Sequence, residues 1–110
     1  MKPTIGRIVH YKLNAADAQA INKRRADAKA FQRATDPAAE PGMPGATGHQ
    51  LHVGNEAEAG QVYPATVVRV FHPETTTANL QVTLDGTDTY WATSRQEGDG
   101  EGAWAWPPRA

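Results

Sequence analysis

LQVTLDGTDTYWATS, residues 80–94, carries the clearest fold signal of the chain. Its first half alternates apolar and polar side chains, which is the pattern of a strand with one buried face. Asp85-Gly86 then favours a tight turn between antiparallel strands. In the second half, Trp91 falls on one face of a strand and Tyr90 falls on the other. The stretch therefore predicts a β-hairpin, around which the rest of the chain has to build a sheet.

Short strand-like segments recur on both sides of this hairpin. Residues 5–13 and 60–71 are rich in β-branched and aromatic residues, and residues 51–55 and 103–108 add two shorter segments. Pro64 has no N–H to donate, which favours the edge or the start of a strand. About five to six short strands at this spacing predict a small closed or partly closed barrel, because closure removes the sheet edges that invite aggregation.

A helix interrupts the strand pattern after the first strand. Asn14 is a good N-cap residue, and the Ala-rich stretch behind it predicts a helix over about residues 15–34. Its apolar stripe is thin, so the helix is expected to lie half-buried on the surface of the sheet. With the stem of Arg25, the stripe consists of Ala18, Ile21, Ala28 and Phe31. Residues 35–49, rich in Pro and Gly, predict a mobile loop. The expected fold is mainly β with one helix (α+β), in a single domain over residues 1–110.

The charge is distributed unevenly along the chain. Residues 1–34 hold eight Lys and Arg against two Asp, which gives +6, and residues 35–110 hold three Arg against ten Asp and Glu, which gives −7. The basic part could attract anions, or it could pack on the acidic remainder within the monomer or across a homo-oligomer. Nucleic acid is an unfavourable partner, because the acidic barrel portion would repel a phosphate backbone.

Several classes of function are disfavoured by what the sequence lacks. There is no Cys, so no disulfide or thiolate metal site is possible, and no GxSxG motif marks a nucleophile. His49 and His52 stand three apart, on opposite faces of a strand, which disfavours a shared metal ion. No apolar run approaches a bilayer span, and no signal peptide is evident. We therefore expect a cytoplasmic protein that is not an enzyme, contacts no membrane and uses neither a cofactor nor a metal.

Two adjacent arginines on the predicted helix are the best candidates for phosphate recognition. Arg24 and Arg25 offer planar forked donors that suit a phosphate group. Neighbouring helix positions point about 100° apart, so only one of the two can face the sheet. The substitutions Arg24→Ala and Arg25→Ala are therefore expected to have unequal effects. The alternative is that both arginines belong to a solvated helix surface.

The aromatic residues exceed what a small barrel can hold inside. Three tryptophans join the tyrosines and phenylalanines, and each Trp buries on the order of 200 Å². At least one ring is therefore expected to cover the helix, meet a second subunit or stack on a planar ligand. The candidate ligand aromatics are Tyr90, Trp91, Trp104 and Trp106. Of the last pair, Trp104 beside the Gly-rich loop is expected to be accessible, and Trp106 is expected to close the barrel.

The segments GRIVHY, VYPATVVRV and VTLDGTDTYWATS resemble the pattern of a Src-homology-3-like barrel, with the helix and the Pro/Gly loop inserted after strand 1. Over nearly its full length, the chain is also similar to a group of short uncharacterised accessory proteins of tailed bacteriophages and prophages. The shared motifs include INKRR, HVGN and GDGEGAWAWPPR. This resemblance implies a phage setting in the host cytoplasm. Small accessory phage proteins commonly antagonise host defence, and some sequester cyclic-nucleotide immune signals.

Three hypotheses of function follow. The first is a phage-encoded, non-enzymatic binding protein that sequesters a cyclic nucleotide or a related phosphate-containing small molecule, using Arg24 or Arg25 and the candidate aromatics. The alternative is a protein-interaction module, either a virion component or an inhibitor of a host protein. A nucleic-acid-binding barrel is the third and is disfavoured by its charge.

Overall fold

Five strands and one helix form the part of the protein that a computed structural model describes, residues 2–35 and 54–108. In chain order these are β1 (Ile8–Lys12), α1 (Ala15–Thr35), β2 (Val62–Val70), β3 (Ala78–Thr83), β4 (Thr89–Arg95) and β5 (Trp104–Ala105). The strands make one antiparallel sheet in the order β4-β3-β2-β1-β5. The predicted α+β class, mainly β with one helix, is confirmed. The predicted loop at residues 35–49 and the short strand at 51–55 lie largely outside the described residues.

Of the two predicted forms, a closed or a partly closed barrel, the closed one is wrong for the described residues, because the two edge strands share no ladder. The segment after β4 touches β5 through one isolated bridge between Glu97 and Trp104, with hydrogen bonds from Trp104 N to the Gln96 carbonyl and from Gly98 N to the Trp104 carbonyl. β5 is two residues long, so it offers too few backbone groups to continue this bridge into a ladder. Apart from this bridge, the sheet of the described residues stays open.

One face of the sheet packs into the core and the other lies against solvent. The alternation predicted for β3 and β4 holds, since Leu80, Val82 and Ala92 are buried while Trp91 is exposed. The other buried apolar residues are Val9, Tyr11, Leu13, Ala18, Ile21, Ala57, Ala65, Val67, Ala78, Leu84 and Trp104. Burial of this set from water is the main favourable contribution to the stability of the fold.

The start of α1 confirms the predicted cap. The Asn14 side chain accepts a bond from the Asp17 N–H at 2.7 Å, and the Asp17 carboxylate accepts one from the Asn14 N–H at 3.1 Å. Ile21 is fully buried, but Phe31 is 70% exposed, so the prediction that Phe31 joins the buried stripe is wrong. The stripe packs only along the first turns of the helix, and the later turns extend past the core.

Two local predictions in the strands need correction. Asp85-Gly86 does not form a two-residue turn, because residues 84–88 all lie between β3 and β4. Pro64 lies in β2, which has neighbours on both sides, and is not at the start of that strand. At Pro64, however, β2 pairs with β1 only, since its register with β3 begins at Ala65. The missing N–H of Pro64 thus falls where one side of the strand is locally an edge.

Candidate functional site

Arg25 is held inside the protein by a network of acceptors. Its side chain is 8% exposed, and its Nε and Nη2 donate to the two carboxylate oxygens of Asp88, each at 2.9 Å. Nη1 donates to the Asn55 carbonyl at 2.6 Å. The forked donors of Arg25 are thus matched by a carboxylate of the chain itself. The residue ties α1 to the β3–β4 connection and to the segment before β2.

Arg24 shares the same carboxylate from the outside. It donates to Asp88 Oδ2 at 2.8 Å, with 46% of its side chain exposed. The hydrogen bonds from Arg25, followed by the one from Arg24, lower the pKa of Asp88 to about 2 against the opposing effect of burial. The hydrogen bond to Asp88 likewise raises the pKa of Arg25. As predicted, only one of the two adjacent arginines faces the interior.

A close backbone approach brings these partners together. A Cβ on Gly54 would lie 1.3 Å from the Asp85 carbonyl oxygen, so only glycine fits this position. Beside it, the Asn55 amide donates to the Asp85 carboxylate at 2.7 Å. The segment at residues 54–55 therefore lies against the β3–β4 connection, which is what makes the Asn55 carbonyl available to Arg25.

We expect Arg25→Met to lower the free energy of unfolding by about 2 kcal/mol, because it removes charge-assisted hydrogen bonds and leaves the partly buried Asp88 carboxylate with fewer donors. Arg24→Met is the matched control and should cost less than about 1 kcal/mol, since exposed ion pairs contribute little. Urea melts of both variants measure the difference. Equal losses would contradict the assignment of Arg25 as the internal member of the pair.

A second network surrounds the buried carboxylate of Asp17. Asp17 is 1% exposed, and its carboxylate accepts hydrogen bonds from the Tyr11 hydroxyl, from the Tyr90 hydroxyl at 2.9 Å and from Arg95 Nη2 at 3.0 Å. Burial first, and then the hydrogen bond to Asp17, raises the pKa of both tyrosines. The Arg95 guanidinium also lies over the Tyr11 ring, 5.6 Å from its centroid. Tyr90, a predicted ligand aromatic, is thus bound within a structural network.

The predicted order of exposure of Trp104 and Trp106 is reversed in the structure. Trp104 is fully buried, and its Nε1 donates to the Thr76 carbonyl at 3.0 Å. Trp106 is half-buried just beyond β5, with its ring edge-on to Trp104 at a centroid distance of 5.4 Å. Trp104 pairs with Tyr11 of β1, whose side chain lies on the buried face of the sheet, so the Trp104 ring is buried on that face as well. Trp91 lies elsewhere, on the solvent side of β4, and is 59% exposed.

The predicted site residues therefore occupy four places and form no common site. Arg24 and Arg25 meet at Asp88, Tyr90 bonds to Asp17, and Trp104 lies in the core beside Trp106. Trp91 lies on the other face of the sheet, away from the remaining predicted site residues.

Trp106 also lines a cleft at the β5 edge, which we name the edge cleft. Its volume is about 290 Å³. The residues that line it are His10, Lys12, Val62, Gly98, Asp99, Ala103, Ala105, Trp106 and Pro108. Lys12 Nζ donates to the Asp99 carbonyl at 2.8 Å across the mouth of the loop before β5. The sequence indicated Trp106 only, because the pairing of His10 with Ala105 that builds the cleft joins opposite ends of the chain.

Comparison with protein-family models, with curated proteins and with solved structures finds no match for this chain. Within residues 2–35 and 54–108, no group of three or more His, Asp or Glu side chains is placed to hold a metal ion. In the same ranges no helix is long and apolar enough to cross a membrane. His49 and His52 lie outside the described residues.

Proposed function

We propose that this protein is a non-enzymatic binding protein and that the solvent side of its sheet, which we name the outer face, binds a protein partner. The observation that carries the proposal is an uncharged row of side chains that crosses four strands at one level. The row consists of Ile8, Thr66, Gln81 and Trp91. Strands lie about 4.8 Å apart, so the row spans roughly 14 Å. Exposed Val62 and Val68 lie on the same face of β2.

The exposure of large apolar side chains on this face needs a reason. Ile8 is 52% exposed and Trp91 is 59% exposed, although the opposite face of the same strands buries a full core. In the row, these two apolar side chains flank the uncharged polar residues Thr66 and Gln81. Exposed apolar side chains gathered on one face, without charges between them, favour an interaction site. Trp is also the residue type most enriched among those that dominate binding energy. These properties favour a protein partner over a phosphate ligand as the main function.

The arginine pair gives weaker support to phosphate binding than the sequence suggested. Both guanidinium groups are bound to Asp88, and Arg25 is also bound to the Asn55 carbonyl. A ligand phosphate at this place would have to displace a carboxylate whose pKa is already lowered to about 2. That displacement costs binding energy that a free arginine would not cost.

We expect Trp91→Ser to weaken binding of a protein partner at least tenfold, because it removes the largest exposed apolar side chain of the outer face. Stability should change by no more than about 0.5 kcal/mol, as for most surface substitutions. The protein immobilised on a resin identifies partners in a bacterial lysate, and isothermal titration with the purified partner then gives the affinity of each variant.

Phe71→Ser is the matched control, since Phe71 is 49% exposed but lies beyond the end of β2, outside the row. Equal affinity of wild type and Trp91→Ser for every purified partner would refute the outer face as the binding surface.

A second candidate is the sequestration of a nucleotide-type host signal, in the phage setting and host cytoplasm that the resemblance implies. The observation that favours it is the edge cleft, where the Trp106 ring and the Lys12 ammonium line one cavity. This second candidate also includes a Src-homology-3-like arrangement of the strands and assembly of the chain into a homo-oligomer. A panel of cyclic nucleotides tested by thermal shift is the measurement, since a ligand at 100 times its Kd adds about 2.7 kcal/mol of stability. No shift with any of them would remove this candidate.

A further inference from the structure

We infer that the edge cleft binds a small planar molecule that carries a single anionic group. This goes beyond protein binding by the outer face and gives the second candidate a site of its own, away from Arg24 and Arg25. The inference rests on the shape of the cleft, on an aromatic wall and on the position of one lysine.

The wall of the cleft suits a flat ring. Trp106 contributes an indole whose orientation is fixed, because its ring packs edge-on against the fully buried Trp104. Val62, Ala103 and Ala105 add small apolar surfaces without charge. Planar rings stack on such aromatic surfaces with little dependence on their identity. The ring of a ligand therefore has a preformed apolar place beside Trp106.

Lys12 supplies the positive charge. Its ammonium is held by the Asp99 backbone carbonyl at 2.8 Å, so the side chain is already ordered before a ligand arrives. Among the described residues, the ion pairs join Lys23 to Asp27, Arg24 and Arg25 to Asp88, and Arg95 to Asp17. Lys12 has no carboxylate partner within this set, unlike Arg25. Its charge can thus be matched by an anion without displacing one.

The acidic loop beside the cleft limits the charge of the ligand. Asp99 lines the cleft, and Glu97 and Glu101 lie on the same short loop. The negative charge of this loop disfavours a group with several negative charges, and the repulsion grows with each added phosphate. A single anionic group at Lys12 is the combination that the local charges favour.

The size of the cleft sets a further limit. At about 290 Å³ it is slightly smaller than the usual range for small-molecule sites, about 300–1,000 Å³. This volume holds one ring system with one acidic substituent. A nucleotide that carries a single charge and an aromatic carboxylate both combine a planar ring with one anionic group. The experiment separates these two sources.

The test is a titration of the full chain, free of any protein partner, with five probes. Adenosine cyclic monophosphate and indole-3-acetate each join a ring to one charge. Adenosine has the ring without the charge, inorganic phosphate has the charge without the ring, and ATP has the ring with several charges. We expect at least one of the first two to bind at least tenfold more tightly than the last three. The one that binds identifies the source.

Amide chemical shifts in an NMR spectrum locate the site. Binding at the cleft should move the signals of Lys12, Gly98, Asp99 and Ala105. Shifts confined to residues 22–25 and 85–88 would overturn the inference, and so would the absence of saturable binding by both single-charge probes. Because no protein partner is present, either failure leaves the outer-face proposal standing.

Lys12→Met keeps the aliphatic stem and removes the charge, and it should weaken binding of the bound probe at least tenfold. Lys29→Met is the matched control, since Lys29 is an exposed lysine of α1 that does not line the cleft. This variant should bind as wild type does. If Lys12→Met does not fold, Trp106→Phe is the second variant. It keeps an aromatic ring in the cleft, so it should still bind the probe, with altered affinity. The tryptophan fluorescence of this variant should no longer respond to the probe. Wild-type affinity in Lys12→Met, or an unchanged fluorescence response in Trp106→Phe, would overturn the inference.

Discussion

Replacing Asp17 by Ala is expected to lower the free energy of unfolding by about 3–5 kcal/mol, the cost of breaking a buried ion pair from one side. The substitution removes the acceptor shared by the Tyr11 hydroxyl, the Tyr90 hydroxyl and the Arg95 guanidinium. Asp17 is only 1% exposed, so water cannot easily replace its carboxylate. It also removes the cap contact with the Asn14 N–H. A domain of this size is stable by only about 5–15 kcal/mol, so the substitution removes a large share of its stability.

The matched control for this prediction is Asp27→Ala on the same helix. Asp27 forms an exposed ion pair with Lys23, and its loss should cost less than about 0.5 kcal/mol. Asp17→Asn, which keeps the shape and one acceptor oxygen, should fall between the two and provides a folded variant for urea melts. Equal stability of Asp17→Ala and Asp27→Ala would show that the network does not hold the fold together.

Trp104→Ala is expected to cost about 3–5 kcal/mol as well, as for other fully buried aromatics. Trp104 is 0% exposed, pairs with Tyr11 on β1 and donates from its indole to the Thr76 carbonyl. Its removal therefore opens a cavity and releases the contact between β5 and the β2–β3 connection at Thr76. Urea melts followed by far-UV circular dichroism measure the loss.

Trp106→Ala is the comparison that tests the reversed roles of the pair. Trp106 is half-buried and packs on Trp104 from outside the core, so its removal should cost at most half as much. Trp104→Phe, which keeps most of the volume and loses the N–H donor, should lie between Trp104→Ala and wild type. A larger loss in Trp106→Ala than in Trp104→Ala would restore the assignment made from sequence.

Arg25 shows how far the sequence reaches toward the candidate sites. The 100° rotation between neighbouring helix positions predicted that one of Arg24 and Arg25 faces the sheet, and Arg25 does. The partner was not predictable, because Asp88 lies 63 residues away and nothing local to either residue brings the two together. A phosphate site and an internal ion pair cannot be told apart from the sequence here, since both use the planar guanidinium donors of arginine.

The tryptophan pair and the edge cleft show the same limit at the other end of the chain. Alternation along AWAWPP gives no information on which ring is inside, because a two-residue strand has too few positions to define a buried face. The decision lies with β1, whose register places Tyr11 opposite Trp104 and His10 opposite Ala105. The same register places Lys12 beside Ala103, and both residues line the cleft with Trp106. Because this arrangement joins distant parts of the chain, the lysine escaped prediction.

The sequence by itself determined the elements whose signals are short-range. The cap at Asn14 joins residues three apart, the helix pattern repeats every 3.6 residues, and the alternation of β3 and β4 repeats every two residues. Each signal can therefore be recognised within a short stretch of sequence. Only the tertiary structure decided which charges neutralise each other, which ring is buried and where a cleft opens. Arg95 donates to Asp17, which lies 78 positions away in the sequence. Such a contact forms only when folding buries distant groups together. Each group then has many possible partners, and no local sequence pattern specifies which one it meets.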